Sequence, residues 1–225
     1  MPSTLCVVMP VLNEAQAIEA TLQALAPLRQ CGARVVVVDG GSEDDTMAKA
    51  RPHADAVISA PRGRAAQMNA GAALGWGEVL LFLHADTTLP DGADERLLQA
   101  MTQGHLWGRF DVRIAGRHRM LAVVAAMMNL RSRWTGIATG DQAMFMRREV
   151  FAQLGGFAPL PLMEDIDMSR RLRWLGAPAC LRERVITSGR RWEQRGVWRT
   201  IVLMWRLRWR YWRGESAHTL AQDYR

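Results

Sequence analysis

Four short apolar runs, each released into a polar turn or a helical stretch, constrain this 225-residue chain more than anything else in it. Residues 5–9 form an apolar run ended by Pro10. Residues 35–38 are four valines, ended by Asp39 and the turn Gly40-Gly41-Ser42. Residues 56–60 read as a third strand, and residues 78–83 as a fourth that ends at His84-Ala85-Asp86. Near-continuous apolar runs of this length suit strands buried on both faces. Between them lie helical stretches. Residues 14–28 carry Ile18, Leu22 and Leu25 on one face, a short helix can start at Asp44 or Asp45, and residues 64–75 form another. Strands alternating with helices imply a parallel α/β sheet with right-handed crossovers. Ligands of such sheets bind beyond the carboxyl ends of the strands. Asn13, Asp39 and Asp86 all fall on that edge.

The second half has a different pattern. Residues 108–114 alternate like an exposed strand, and residues 119–133 form an apolar, Met-rich helix. A short strand is expected over residues 143–146, a helix with a charged face over 164–175, and a Trp- and Arg-rich helix over 196–214. The expected organisation is a domain over residues 1–190 followed by an amphipathic segment over 191–225. The domain divides into a donor-binding half, 1–90, and an acceptor and catalytic half, 91–190.

Composition narrows the class. Apolar residues make up 49% of the chain, enough for a real core. No leader is expected, and no apolar stretch reaches the roughly 18 residues a membrane span needs. Cys6, Cys31 and Cys180 are odd in number and widely spaced, which argues against a disulfide framework and suits a reducing cytosol. The net charge is +7, yet Lys49 is the only lysine. Part of the arginine excess therefore reflects codon usage, and the remainder points to an anionic partner.

Each motif has a functional and a structural explanation. Asn13-Glu14 can cap a helix or line a nucleotide pocket. Asp39 at a strand end can accept hydrogen bonds from a ribose or base, and Gly40-Gly41 allows close backbone approach. No dinucleotide or P-loop glycine pattern is present. Asp86 suits a hard divalent cation that keeps water and phosphate ligands, with His84 on the same face by strand alternation. Both are equally compatible with a turn residue and a packed histidine. Glu164-Asp165-Ile166-Asp167 opens a helix after Gly155-Gly156. The helix dipole favours acids there, and Asp167 can pair with Arg170 or Arg171. Three acids in four residues leave one available as a general base.

Together these segments resemble the family 2 glycosyltransferases of the GT-A fold. The resemblance rests on residues 10–14, Asp39-Gly40-Gly41-Ser42 with Asp45 and Thr46, His84-Ala85-Asp86, Gly155-Gly156-Phe157 and Glu164-Asp165, and covers about residues 5–176. Residues 62–69, 82–87, 108–111 and 140–142 further resemble a small bacterial subfamily labelled as radical-SAM- and selenium-associated, or as arsenosugar biosynthesis. The resemblance implies a Rossmann-like, mostly parallel sheet flanked by helices. It implies that Pro10, Asn13 and Glu14 touch the nucleotide, that Asp39 binds base or ribose, and that Arg64 and Gln67 sit over the base. It implies that Asp86, aided by His84, holds Mn2+ or Mg2+ against the diphosphate, and that Asp165 is the base with Glu164 beside it. The donor implied is a nucleotide sugar, a UDP-sugar first, and the transfer inverts configuration. Asp141 and residues 108–114 are expected on the acceptor side.

His84 stands where the family usually has a first aspartate, which retunes the metal site. Ser188 replaces the glutamine of the Q-x-x-R-W pattern before Arg191-Trp192, so processive polymer synthesis is not expected. Two other classes stay open: a nucleotidyltransferase, which lacks its basic glycine loop here, and a non-catalytic membrane-associated binding protein. Nucleic acid is not an expected partner. In the last helix Trp198, Val202, Trp205, Trp209 and Trp212 form one stripe, and Arg199, Arg206, Arg210 and Arg213 form another about 100° round. The helix either lies on an anionic membrane surface or packs its Trp stripe on the domain or a second subunit. The expected location is the cytoplasm, with peripheral attachment to the inner membrane face under the first alternative.

Overall fold

The computed structural model describes residues 4–224. Residues 1–3, on which the expectation of no leader partly rests, and Arg225, the end of the expected C-terminal segment, lie outside the described residues. Strands β1 (Leu5–Val11), β2 (Arg34–Asp39), β3 (Ala56–Ser59) and β4 (Val79–Phe82) are parallel, in the order β3-β2-β1-β4. Beyond β4 the sheet continues through β7 (Phe145–Arg147), β6 (Trp107–Ala115), β8 (Ala179–Ser188) and β5 (Thr87–Thr88). β7 runs antiparallel to β4 and β6, β6 pairs parallel with β8, and β5 closes the edge antiparallel. This is the expected α/β sheet flanked by helices.

Burial explains the apolar runs. On β1, Leu5, Val7 and Met9 join one core while Cys6 and Val8 join the other. β2 and β4 divide their residues between the same two cores. The first core lies under α1 (Ile18–Ala24), α2 (Ala26–Gln30), α5 (Ala93–Thr102) and α6 (Met120–Thr135). The second lies under α4 (Arg64–Ala72), α7 (Arg148–Gln153) and α8 (Glu164–Arg173), where Phe82, Phe151 and Phe157 meet with centroids 4.9–5.6 Å apart. A short helix, α3 (Thr46–Ala50), follows β2, starting one residue after Asp45. The expected helix over residues 14–28 is two helices, because Pro27 begins a new one in the first turn of α2. All three cysteines are free.

One expectation fails outright. Residues 108–114 do not form an exposed strand; β6 is buried between β7 and β8. Arg113 alone of its charged residues is exposed; Arg109 and Asp111 are hidden because they neutralise each other. Arg109, fully buried, pairs with Asp111, whose carboxylate also takes two 2.8 Å bonds from Arg133. These side chains are committed inside the fold, so β6 cannot offer them to an acceptor.

After β8 come α9 (Arg190–Arg195), α10 (Val197–Trp212) and α11 (Ala217–Tyr224). Helix α10 buries Thr200 and Leu207 and packs Leu203, Met204 and Tyr211 near Leu162 and Met163, just ahead of α8. Its Trp stripe faces away. Trp198, Val202, Trp205, Trp209 and Trp212 are 58–80% exposed, so the alternative in which the stripe packs on the chain's own domain is wrong. No helix among the described residues is long and apolar enough to cross a membrane.

Candidate active site

The register of the parallel strands brings three polar turns to one edge: Val11 pairs with Asp39, and Asp39 with Ser59. Asp39 is 2% exposed. Its Oδ2 accepts N–H bonds from Gly41 (2.9 Å) and Ser42 (3.0 Å), while the buried Oδ1 has no donor. Asn13 takes the left-handed conformation at φ 54° and ties two turns together. Its N–H donates to Ser42 Oγ, and its Oδ1 accepts from the Glu43 N–H, both at 2.9 Å. The Glu14 N–H donates to Thr46 Oγ1, and the Glu14 carboxylate meets Arg190 at 3.2 Å. Burial pushes the Glu14 carboxyl up, Arg190 opposes it, and the nearby Asp86 charge adds to the rise. Pro10 is buried in β1. Gln67 is also buried, and its amide donates to the carbonyls of Val11 (2.7 Å) and Val38 (2.8 Å). Its nitrogen is thus spent on holding the two strand ends together.

His84 and Asp86 do not sit on one strand. β4 stops at Phe82, and residues 84–87 make a turn closed by the Thr87 N–H on the His84 carbonyl at 3.1 Å. Strand alternation therefore does not set their relative facing. The turn is fixed from β8: the Ser188 N–H donates to the Asp86 carbonyl at 3.1 Å, and Thr87 bonds Thr187. His84 Nδ1 lies 3.4 Å from Asp141 Oδ1, and the imidazole, with Gly140, Glu164 and Asp165, lines a small cavity. A Cβ on Gly140 would come within 2.6 Å of that ring, so glycine is required there. Partial desolvation raises the Asp141 carboxyl, but the His84 contact and the charges of Arg64 and Arg191 outweigh it and hold the group below its ordinary value.

Glu164 and Asp165 open α8, behind Met163 in the left-handed conformation at φ 68°. Asp165 Oδ2 accepts the Gly140 N–H at 2.9 Å, and Oδ1 accepts the Ile166 N–H at 2.7 Å. The carboxylate is thereby oriented by a turn 25 residues away. Glu164 is 4% exposed and 3.9 Å from Arg64. Burial first, then the Asp165 charge, push the Glu164 carboxyl up, with Arg64 opposing. Asp167 is elsewhere engaged: it pairs with Arg171 at 2.8 Å, and Arg171 also binds the Leu154 and Gly156 carbonyls. Asp167 is therefore a structural residue.

The raised Glu164 carboxyl has a consequence for stability. The folded chain holds that proton to higher pH than the unfolded chain does, so the contribution is full below the ordinary value of 4.5 and is lost as pH rises through the folded value. Glu164→Gln removes the charged form. Its melting temperature should match the parent near pH 4 and exceed it progressively toward pH 8; a constant difference across that range would contradict the assignment.

Several contributors carry no sequence signal. Arg131, in α6, faces the Asp165 charge and has a buried Nε without a partner. Asn69 clamps the Gly155-Gly156-Phe157 turn through 2.9 Å bonds to both the Phe157 N–H and carbonyl. Arg191 and Arg195 donate to the Tyr224 carbonyl, tying α9 to the end of α11. Among the described residues no group of three or more His, Cys, Asp or Glu side chains is arranged to hold a metal. A cation here would depend on Asp86, with Glu14 nearby, and on oxygen ligands from water and substrate. That donor set fits a hard divalent ion that keeps water and phosphate in its shell.

Comparison with known proteins bears on the family and the fold. The profile of glycosyl transferase family 2 matches residues 6–155. Succinoglycan biosynthesis protein ExoA of Rhizobium meliloti (strain 1021) is 40% identical over 102 residues, covering 41% of this chain and 31% of ExoA. S. aureus TarS 1–349 in complex with UDP-GlcNAc superposes with a TM-score of 0.66 at 19% identity, over 84% of this chain and 58% of that one. The mannosyltransferase PcManGT of Pyrobaculum calidifontis, in complex with GDP-Man and Mn2+, gives 0.63 at 22% identity, over 83% and 57%. The chain thus spans under two thirds of these relatives. At such identities the structural likeness establishes the fold.

Proposed function

The chain belongs to glycosyl transferase family 2, and on that premise we propose that it inverts configuration while moving a sugar from a nucleotide diphosphate, a UDP-sugar first, to an acceptor hydroxyl. The observation that carries this is the linkage of three turns at one sheet edge. The Asp39 turn is tied to Asn13 and Glu14, Glu14 feels the Asp86 charge, and the His84–Asp141 contact leads through Gly140 to Asp165. Relatives of the same fold bind UDP, UDP-GlcNAc or GDP-Man, some with Mn2+ or Mg2+. Membership of the small bacterial subfamily is part of the proposal, resting on the resemblance of residues 62–69, 82–87, 108–111 and 140–142.

The roles follow from the contacts. Asp39 Oδ1, the oxygen without a donor, receives a ribose hydroxyl or a base N–H once the turn admits it. Asp86 would hold the divalent ion, with His84 beside it in its turn; the ion's contribution is to neutralise charge on the leaving diphosphate. Asp165, oriented by two backbone N–H groups, keeps oxygen lone pairs free to take the acceptor proton. Glu164 lies beside Asp165, its carboxyl pushed up by burial and then by the Asp165 charge, with Arg64 opposing. Arg190, already at Glu14, adds positive charge close to the donor phosphates. The exposed Trp stripe of α10, with the exposed Arg199, Arg206 and Arg213, suits an anionic membrane surface, which would hold the enzyme at the inner leaflet; Arg210 of the same stripe is instead paired with Glu215 and Asp223.

A melting screen tests the donor assignment. UDP with Mn2+ or Mg2+ is expected to protect the chain, by about 2.7 kcal/mol at a hundredfold excess over Kd. UDP-sugars should also be slowly hydrolysed. If no nucleoside diphosphate shifts the melting curve with either metal, the proposal is wrong.

A further inference from the structure

Helices α6 and α10 touch and leave between them an open groove of about 490 Å3. That lies within the roughly 300–1,000 Å3 of pockets that hold organic ligands. Its walls are apolar: Met120, Val123 and Met127 from α6, and Trp198, Ile201 and Trp205 from α10. Several of these are open to solvent, with Val123 45% and Met127 50% exposed. Large contiguous apolar surface on a folded chain marks a binding face, and unbranched methionines adapt to a flexible ligand.

The charged groups in the groove are few and placed. Arg131 is the last groove residue of α6 in chain order, and Arg208 the last of α10. Arg131 also faces Asp165, and its buried Nε has no partner. Asp141, the remaining charged residue of the lining, is 3.4 Å from His84, whose ring shares a cavity with Glu164 and Asp165. The groove thus ends at Asp141, one side-chain contact away from the small cavity lined by the candidate catalytic acids. Outside its mouth, α10 presents exposed Trp209 and Trp212 beside Arg206 and Arg213, a pairing suited to the interface of an anionic bilayer.

We propose that this groove seats the hydrocarbon chain of the sugar acceptor, and that the acceptor is an anionic amphiphile. Its phosphate meets Arg131 and Arg208, and its hydroxyl reaches Asp165, which rests on the glycosyltransferase reading of that site. The apolar walls take the chain and the arginines take the head. The Trp-lined outer face keeps the groove mouth at the lipid surface where such an acceptor resides.

Lysophosphatidylglycerol, below its micelle concentration, carries all three elements and serves as the probe. Calorimetry and tryptophan fluorescence should show it binding. Lysophosphatidylcholine should bind more weakly, and glycerol phosphate, lacking the chain, not measurably. Val123→Trp with Met127→Trp fills the groove from exposed positions, so folding is retained. That variant should lose lysophosphatidylglycerol affinity at least tenfold while UDP affinity with Mn2+ is unchanged. Trp209→Ser with Trp212→Ser should weaken flotation with phosphatidylglycerol vesicles yet leave probe affinity intact. No binding of the probe, or equal binding by the filled variant, overturns the proposal. So does a dimer in sedimentation that dissociates when the groove is filled, because the occupant is then a second copy. Lost UDP binding by the parent chain would instead count against the glycosyltransferase site and leave the groove result to be judged by itself.

Discussion

Replacing Asp165 with asparagine is expected to cut turnover by roughly two to four orders of magnitude while UDP affinity is kept. Asparagine has nearly the same shape and still offers an oxygen to the Gly140 N–H, so the turn should survive. It has no basicity, so the acceptor proton has nowhere to go. Single-turnover assays with UDP calorimetry separate the two effects. Glu164 is the competing carboxylate, pushed up first by burial and then by the Asp165 charge. If Glu164→Gln is crippled and Asp165→Asn stays active, the base is Glu164.

The second large effect is expected at Asp86. Asp86→Ala should remove metal-dependent UDP binding, a loss exceeding the 10–100-fold typical when only an outer-shell partner is deleted. His84→Ala should cost less, since water can replace a second ligand, and since the His84 ring is already engaged by Asp141. Calorimetry with and without Mn2+ reads both variants. Unchanged metal-dependent affinity in Asp86→Ala would remove this residue from the metal site.

Most clearly legible in the sequence are the strands covered on both faces. β1, β4 and the four valines of β2 are apolar throughout, because alternate residues enter different cores. β8 could not be read this way. Its Arg182, Glu183 and Arg184 look like a loop, and the strand exists because β6 pairs with it over residues 179–188. β6 misled for a related reason: Arg109 and Asp111 suggest solvent, yet each is the other's counter-ion inside the sheet. At the site, the strand-end acids were visible because charge following an apolar run is unusual. The parts that orient them were not. Gly140 holding Asp165, the Arg131 charge that feels it, and the Tyr224 carbonyl anchoring Arg191 and Arg195 all join distant segments. Nothing local in the chain encodes them.

The amide of Gln67 joins the carbonyls of Val11 and Val38, where the first two strands give way to their loops. Mechanically this couples two hinges into one part, so the Asn13 and Asp39 loops drift together rather than independently. A genetic screen for lost activity would therefore recover changes at position 67 alongside those at position 39, with the same phenotype. Only suppressors that restore the spacing of the two loops would tell the brace from the contact.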